Sequence, residues 1–91
     1  MTTEAAQGVY GAVDCGLYIG TFLLAAENLG LACIPQAALV MRAAVLREYF
    51  GLSEDRQLVA GISFGYEGTG YATNSYRTER SGLEEVVTWA D

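Results

Sequence analysis

Two arginines three positions apart are the residues of this sequence best suited to binding an anion. Arg77 and Arg80 lie in a chain whose net charge is −6, so positive charge is scarce elsewhere. A guanidinium group is planar and forked, and it matches the oxygens of a phosphate through two parallel hydrogen bonds. The same two residues also fit a solvated surface on which they pair with Glu79 or Glu84. The pattern therefore leaves a phosphate site and an ordinary charged surface both open.

The remaining residue types exclude several kinds of catalytic site. The chain contains no histidine and no lysine, which rules out Ser-His-Asp and Cys-His catalysis and metal sites built on imidazole. Cys15 and Cys33 have no CxxC partner, and a helix between them would hold them about 20 Å apart, whereas a disulfide requires Cα atoms within about 7 Å. We therefore expect two free thiols in a reducing cytoplasm, no catalytic side chain and no metal site.

The composition predicts a chain that needs a partner. Hydrophobic residues make up 52% of its 91 residues and charged residues only 18%. A chain of this length buries only about 60–65% of its unfolded surface, so a partner chain or a missing domain would have to cover the remaining apolar surface. The negative charge argues against nucleic acid or an anionic membrane as that partner, and residues 1–13 show no secretory signal or transit peptide.

A nearly uncharged helix is predicted from Asp14 to Gly30, with Asp14 as its N-cap and Gly30 as the residue that ends it. Apolar residues lie nearly all round it and residues 17–26 carry no charge, which is typical of a core helix or a membrane span. A span requires about 20 apolar residues. Because this run is shorter, we expect a core helix buried on most of its sides. Gly16 and Gly20 lie on one side of it and permit either ordinary helix packing or a helix–helix contact between two chains.

The segments after this helix predict a second helix and a small sheet. Pro35 suits the first turn of a helix running from Gln36 to Phe50. Residues 57–66 alternate large and small side chains, as in one strand, and the glycines of the small face mark close approach by a ligand or by a helix. Residues 84–89 also alternate, and a lone terminal strand must add to a sheet edge in its own chain or a neighbour's. The predicted class is α+β, with two main helices packed on a small sheet.

Three segments of the chain carry a family resemblance: DCGLYIGTFLLAAENLGLACIPQAA, LREYFGLSEDRQLVAGISFGY and NSYRTERSGLEEVVTW. Together they resemble the C-terminal half of the FMN-dependent nitroreductase family, in the family's order and with plausible spacing. The resemblance runs from about Val9 to Trp89. We therefore expect residues 1–91 to form a partial nitroreductase-like domain whose N-terminal half is absent.

The resemblance implies half of a larger α+β domain, with a mainly antiparallel sheet flanked by helices. Such domains form an intertwined homodimer, hold FMN in the interface, and extend the partner's sheet with their C-terminal tail. NAD(P)H reduces the flavin, which then reduces nitroaromatics, quinones or similar acceptors. The resemblance also implies that Arg80, and with less support Arg77, hold the FMN phosphate. The loop that lies against the flavin ring corresponds to Pro35, Gln36, Ala37 and Ala38.

The absence of the N-terminal half affects the function that the resemblance implies. In the family it supplies an Arg-Ser-x-Arg-type motif that grips the phosphate and the ribityl chain. We expect an oxidoreductase if a complementary half or a rearranged oligomer completes the domain. The alternative is a non-catalytic remnant that survives as an oligomerising or protein-binding module.

Overall fold

The computed structural model describes residues 1–90 and has the α+β character that the sequence predicts. Residues 1–90 form three α-helices and four short strands, the last two strands adjacent in the chain, with 3-10 turns in three places. In chain order the helices and strands are β1 (Thr2–Glu4), α1 (Gly8–Asn28), β2 (Ala32–Gln36), α2 (Ala43–Phe50), β3 (Arg56–Leu58), β4 (Gly61–Gly65) and α3 (Leu83–Val86), and the 3-10 turns span Ala5–Gln7, Ala37–Arg42 and Ala72–Asn74.

The strands form two separate antiparallel pairs. β1 pairs with β3, so that Thr2 faces Leu58, and β2 pairs with β4, so that Gln36 faces Gly61. The single strand predicted over residues 57–66 is therefore divided. Its two ends have different partners, and the chain changes sheet at residues 59–60, where Ala60 is buried.

Helix α1 begins six residues before the predicted start. Residues 2–4 are held in the β1–β3 pair and lead through a 3-10 turn directly into the helix, so Asp14 lies inside α1 and does not cap it. The predicted end is confirmed. Leu29 is the C-cap, and Gly30 follows with φ of 71°, the left-handed conformation that glycine adopts without a Cβ clash.

Only one stripe of α1 packs within the chain. Cys15 and Ala26 are buried on it, and the Phe22 ring meets Phe64 of β4 edge to face, with centroids 5.6 Å apart. The expectation of a helix buried on most of its sides is wrong for the single chain, because the opposite face is apolar and exposed; Leu24 there is 76% exposed. By length and composition alone, the segment Ala5–Asn28 could also cross a membrane.

The second predicted helix is confirmed over Ala37–Phe50, but its first six residues, Ala37–Arg42, are 3-10 and only Ala43–Phe50 is α-helical. Pro35 and Gln36 are the last residues of β2, a 3-10 turn follows, and α2 proper starts at Ala43. Proline is tolerated in β2 because a two-stranded sheet has only edge strands. The predicted end is confirmed at Gly51, whose φ is 62°. Arg47 anchors α2 by donating from Nη2 to the carbonyl of Arg56 in β3 at 2.8 Å.

The C-terminal segment is not a strand within the single chain. Leu83–Val86 forms one helical turn, closed by a hydrogen bond from the N–H of Val87 to the carbonyl of Leu83 at 2.9 Å. In the described residues no strand follows it. Neither two-stranded sheet of the single chain pairs with this segment, and a strand without a neighbour leaves its backbone groups unpaired. Pairing of residues 84–89 with the sheet edge of another chain stays a prediction.

Candidate functional site

The β2–β4 pair brings two polar side chains together at one end of the sheet. The hydroxyl of Ser63 donates to the Oε1 atom of Gln36 at 2.9 Å. Gln36 faces Gly61 across the pair, and Ser63 lies two residues further along β4 on the same face. Such diagonal neighbours on an antiparallel pair are within reach of long side chains, so the strand register itself creates this contact.

The 3-10 turn after Gln36 is seated on β4 by a close contact. A Cβ atom at Gly61 would collide with the Cδ1 atom of Leu39, which occupies that space. This confirms, at Gly61, the predicted close packing against the small face of the strand. The turn begins with Ala37 and Ala38, which are exposed, and no side chain caps its start.

An open groove of about 620 Å³ lies beside this turn. Gln36 and Ser63 provide polar groups to its lining, and the walls are mainly apolar. Mainly apolar grooves with a few convergent polar groups are typical ligand sites. The apolar side chains that line it are Met1, Leu39, Leu46, Phe50, Leu52, Leu58, Ala60 and Ile62.

A second groove, of about 550 Å³, contains Arg77. Its lining includes Ile34 and Gly65 of the β2–β4 pair, and also Ser63, which therefore borders both grooves. The ladder from Gln36 to Ala32 is five residues long, or about 13 Å. The apolar groove and the arginine are thus connected along one short strand pair.

The two arginines of the predicted phosphate site are exposed, and each makes only local hydrogen bonds. Arg77 donates from Nη1 to the carbonyl of Asn74 at 3.0 Å, and Arg80 donates from Nη1 to the hydroxyl of Thr78 at 2.6 Å. Within residues 1–90 their partners are carbonyl and hydroxyl oxygens, with no bond to a glutamate side chain. Arg80 lines neither of the two grooves, so the structure brings Arg77 but not Arg80 to the sheet.

The side chains that line the apolar groove include few groups that could take part in a reaction. None of the side chains that line it is acidic, basic or a cysteine, and the N-terminal ammonium of Met1 donates to the carbonyl of Ala60 at 2.8 Å. The described part of the chain holds no group of three or more potential metal ligands. Both cysteines are free, Cys15 buried and Cys33 partly buried. Gln36 and Ser63 can therefore offer hydrogen bonds to a ligand in this mainly apolar groove, but any redox step would need a bound group.

Sequence reasoning identified Gln36 but missed Ser63 and Leu39. The alternation of large and small side chains over residues 57–66 places Ser63 on the small face with Gly61, and this is the sequence signal that could have identified Ser63. The sequence does not show which strand pairs with this one, because the Gln36–Ser63 contact joins residues 27 positions apart.

Comparisons with known proteins agree with this architecture. The sequence model of the nitroreductase family matches residues 2–66. The nitroreductase NfnB of Mycolicibacterium smegmatis is 40% identical over 77 residues, which are 85% of this chain and 32% of that protein. The 4-nitrobenzoate reductase of a Nocardioides strain is 36% identical over 81 residues, or 87% of this chain and 33% of that protein. The chain thus spans about a third of the length of these relatives.

Two solved structures superpose closely on the chain. The FMN-dependent nitroreductase NfnB from Mycobacterium smegmatis, in complex with NADPH, aligns with a TM-score of 0.81 and 40% identity, covering 88% of this chain and 36% of that one. A mutant of the FMN- and NADPH-dependent nitroreductase NfnB from a Sphingopyxis strain aligns with a TM-score of 0.92 and 28% identity, covering 99% of this chain and 42% of that one. The family match includes the Gln36–Ser63 pair and ends before Arg77 and Arg80.

Proposed function

This chain belongs to the nitroreductase family, and from that premise we propose that it is the C-terminal half of an FMN-dependent oxidoreductase domain. Completed by a partner, it takes electrons from NAD(P)H and reduces nitroaromatic or quinone-type acceptors in the cytoplasm. The observation that carries the proposal is the apolar groove with Gln36 and Ser63 in its lining, bordered by a second groove that contains Arg77.

The residue types at the proposed site are chemically suited to binding FMN. Apolar walls suit the flat face of the ring, and the Gln36 amide offers both a donor and an acceptor to its polar edge. Pro35, Ala37 and Ala38 complete the loop on the ring side. Arg77 and Arg80 are not bonded to carboxylates in the described chain and offer guanidinium groups to the phosphate. When bound, FMN supplies the redox chemistry, while the protein holds and orients it.

The surface of the chain supports completion by a partner. Its solvent-accessible area is 7729 Å², whereas a compact protein of 9.7 kDa exposes about 5100 Å². Its radius of gyration is 16.5 Å, against about 12 Å for a compact chain of this length. An interface that covered this excess of about 2600 Å² on one chain would bury about 5200 Å² over both partners, at the upper end of the range for obligate interfaces. We propose that a complementary N-terminal half or a second copy of the chain covers it.

The alternative function, a non-catalytic oligomerising module, is favoured by the exposed face of α1. Leu17 is 69% exposed there and Leu24 76%. A Cβ atom at Gly16 or Gly20 would meet nothing within 4 Å in this chain, so neither glycine serves packing within the chain. Both can serve close contact with another helix.

A complementation experiment separates the two functions. FMN is titrated into the chain alone and into the chain mixed with the segment of the M. smegmatis relative that this chain does not span. We expect weak or no quenching of flavin fluorescence by the chain alone, and a yellow, NAD(P)H-oxidising complex with the segment. A colourless, stable oligomer that binds no flavin under either condition would favour the non-catalytic module.

A further inference from the structure

The backbone of β4 has free hydrogen-bonding groups on its outer edge. In an antiparallel pair, residues that exchange both backbone hydrogen bonds alternate with residues whose N–H and C=O groups point away from the partner strand. Pro35 faces Ile62 in the β2–β4 register and has no N–H to exchange. The bonded residues of β4 are therefore its first, third and fifth, and the backbone groups of Ile62 and Phe64 point away from β2. Outside this ladder, residues 1–90 form no backbone hydrogen bond to either of them.

The outer edges of the other three strands are already used or incomplete. In β3 the carbonyl of Arg56 accepts from Nη2 of Arg47 at 2.8 Å, and in β1 the carbonyl of Thr2 accepts from Nη2 of Arg56 at 3.1 Å. In β2 the outer edge contains Pro35, which cannot donate to a further strand. Among the strands of residues 1–90, β4 is therefore the one best able to accept another strand.

The sequence of β4 has none of the residues that protect an exposed strand edge. A strand edge with unpaired N–H and C=O groups is a template for pairing with another chain, and proteins block it with charged residues or proline, or cover it. The five residues of β4, Gly-Ile-Ser-Phe-Gly, include no charge and no proline. This edge therefore needs a covering strand in the working protein.

We propose that a β-strand of the complementary N-terminal half adds to the outer edge of β4 and continues the β2–β4 sheet through the backbone groups of Ile62 and Phe64. The existence of that half rests on the proposed function; the open edge belongs to the chain itself. The chain spans about a third of the length of its relatives, so most of such a domain lies outside it.

The chemistry of the edge defines the strand that it accepts. Strand addition gains affinity from main-chain hydrogen bonds and specificity from alternate side chains. The incoming strand has no proline at the residues bonded to β4, because a proline there could not donate. Its side chains beside Phe64 are apolar, because they extend the face of the sheet on which the Phe64 ring meets Phe22 of α1.

Amide hydrogen exchange of β4, followed by NMR, tests the proposal residue by residue. The chain is measured alone and with the segment of the M. smegmatis relative that it does not span. Alone, the amide of Ser63 should be protected and those of Ile62 and Phe64 should exchange faster. In the complex, the exchange rates of Ile62 and Phe64 relative to Ser63 should fall at least about tenfold, since a bonded amide exchanges only when the strand opens. Unchanged ratios in the complex would overturn the proposal.

Two substitutions at one position isolate the backbone contribution. Phe64→Ala and Phe64→Pro both remove the aromatic ring, but only the proline also removes the outward N–H. Phe64→Pro should weaken association with the segment at least about fivefold more than Phe64→Ala, the effect of one hydrogen bond of ordinary strength. Equal weakening would contradict the proposal. If Phe64→Pro does not fold, the exchange ratios of the native chain decide the question.

The experiments separate this proposal from the proposed function. A complex that protects Ile62 and Phe64 but binds no FMN supports the strand addition and contradicts the flavin function. A complex that binds FMN with unchanged exchange ratios has the opposite meaning. Protection that rises with the concentration of the chain alone would show that a second copy covers the edge, and it would overturn the proposal, as would a segment that does not associate with the chain.

Discussion

The Cδ1 atom of Leu39 occupies the space that a side chain on Gly61 would need. This contact joins the 3-10 turn to β4 at the residue that faces Gln36. The 3-10 turn that follows the proposed ring-side residues Pro35 and Gln36 thus packs on β4 at a position without a side chain.

Gly61→Ala should destabilise the chain and shift this loop. The added methyl group would force Leu39 to a different rotamer, at a cost of about 1–2 kcal/mol, which is measurable as a lower denaturant midpoint. Gly65→Ala is the matched control, because a Cβ atom there meets nothing within 4 Å, and it should be neutral or slightly stabilising. In a Leu39→Ala background, Gly61→Ala should add no cost. A similar loss in both backgrounds would show that the contact is not the cause.

Arg80→Ala should weaken FMN binding by the complemented protein about 10- to 100-fold, the range expected for lost hydrogen bonds to a charged group. Riboflavin, which lacks the phosphate, should be affected hardly at all. Arg77→Ala is compared directly, since Arg77 lines the groove that borders Ser63 and Arg80 does not. Arg42→Ala removes an equal charge from an exposed position at the end of the 3-10 turn and serves as the control. Equal losses for FMN and riboflavin would indicate a role in folding and not in binding phosphate.

Leu17→Glu together with Leu24→Glu should prevent the chain from associating with itself. Both side chains are exposed in the single chain, so the substitutions should change monomer stability by no more than about 0.5 kcal/mol. A buried glutamate without a partner is costly in an interface. Light scattering over a dilution series measures the effect, with Val45→Glu, on the exposed surface of α2, as the control. A native chain that is monomeric at every concentration would contradict the proposal of self-association.

The features that the sequence predicted correctly are local ones. Gly30 and Gly51 end their helices because a left-handed residue is needed just after a helix, and only the residue type at that position decides the outcome. The α+β class follows in the same way from patterns of apolar residues within each segment.

The features that the sequence could not predict depend on partners distant along the chain. The side chains of residues 57–66 alternate as in one strand, yet the segment forms two strands, because β3 pairs with β1 and β4 pairs with β2. The Gln36–Ser63 contact requires the β2–β4 register, which neither segment specifies alone. The start of α1 was missed because the pairing of residues 2–4 with β3, and not the type of Asp14, determines where the helix begins.

The C-terminal tail leads to the last prediction, which concerns pairing between chains. Leu83–Val86 is a single helical turn, too short to be stable alone, and Val86 and Trp89 are 67% and 79% exposed. Val87 already has extended backbone angles, with φ of −124° and ψ of 128°. We therefore expect residues 84–89 to add as a strand to the sheet edge of another chain.

Deleting residues 83–91 should then lower the stability of the assembly while changing the single chain little. The measurement is the melting temperature of the native and shortened chains at two protein concentrations. An associating protein melts higher when it is more concentrated, and the deletion should reduce that difference. Trp89→Ala keeps the backbone that would pair and removes only the exposed ring, so it should have a smaller effect than the deletion. If the shortened chain keeps the mass and melting temperature of the native one, the tail does not pair between chains.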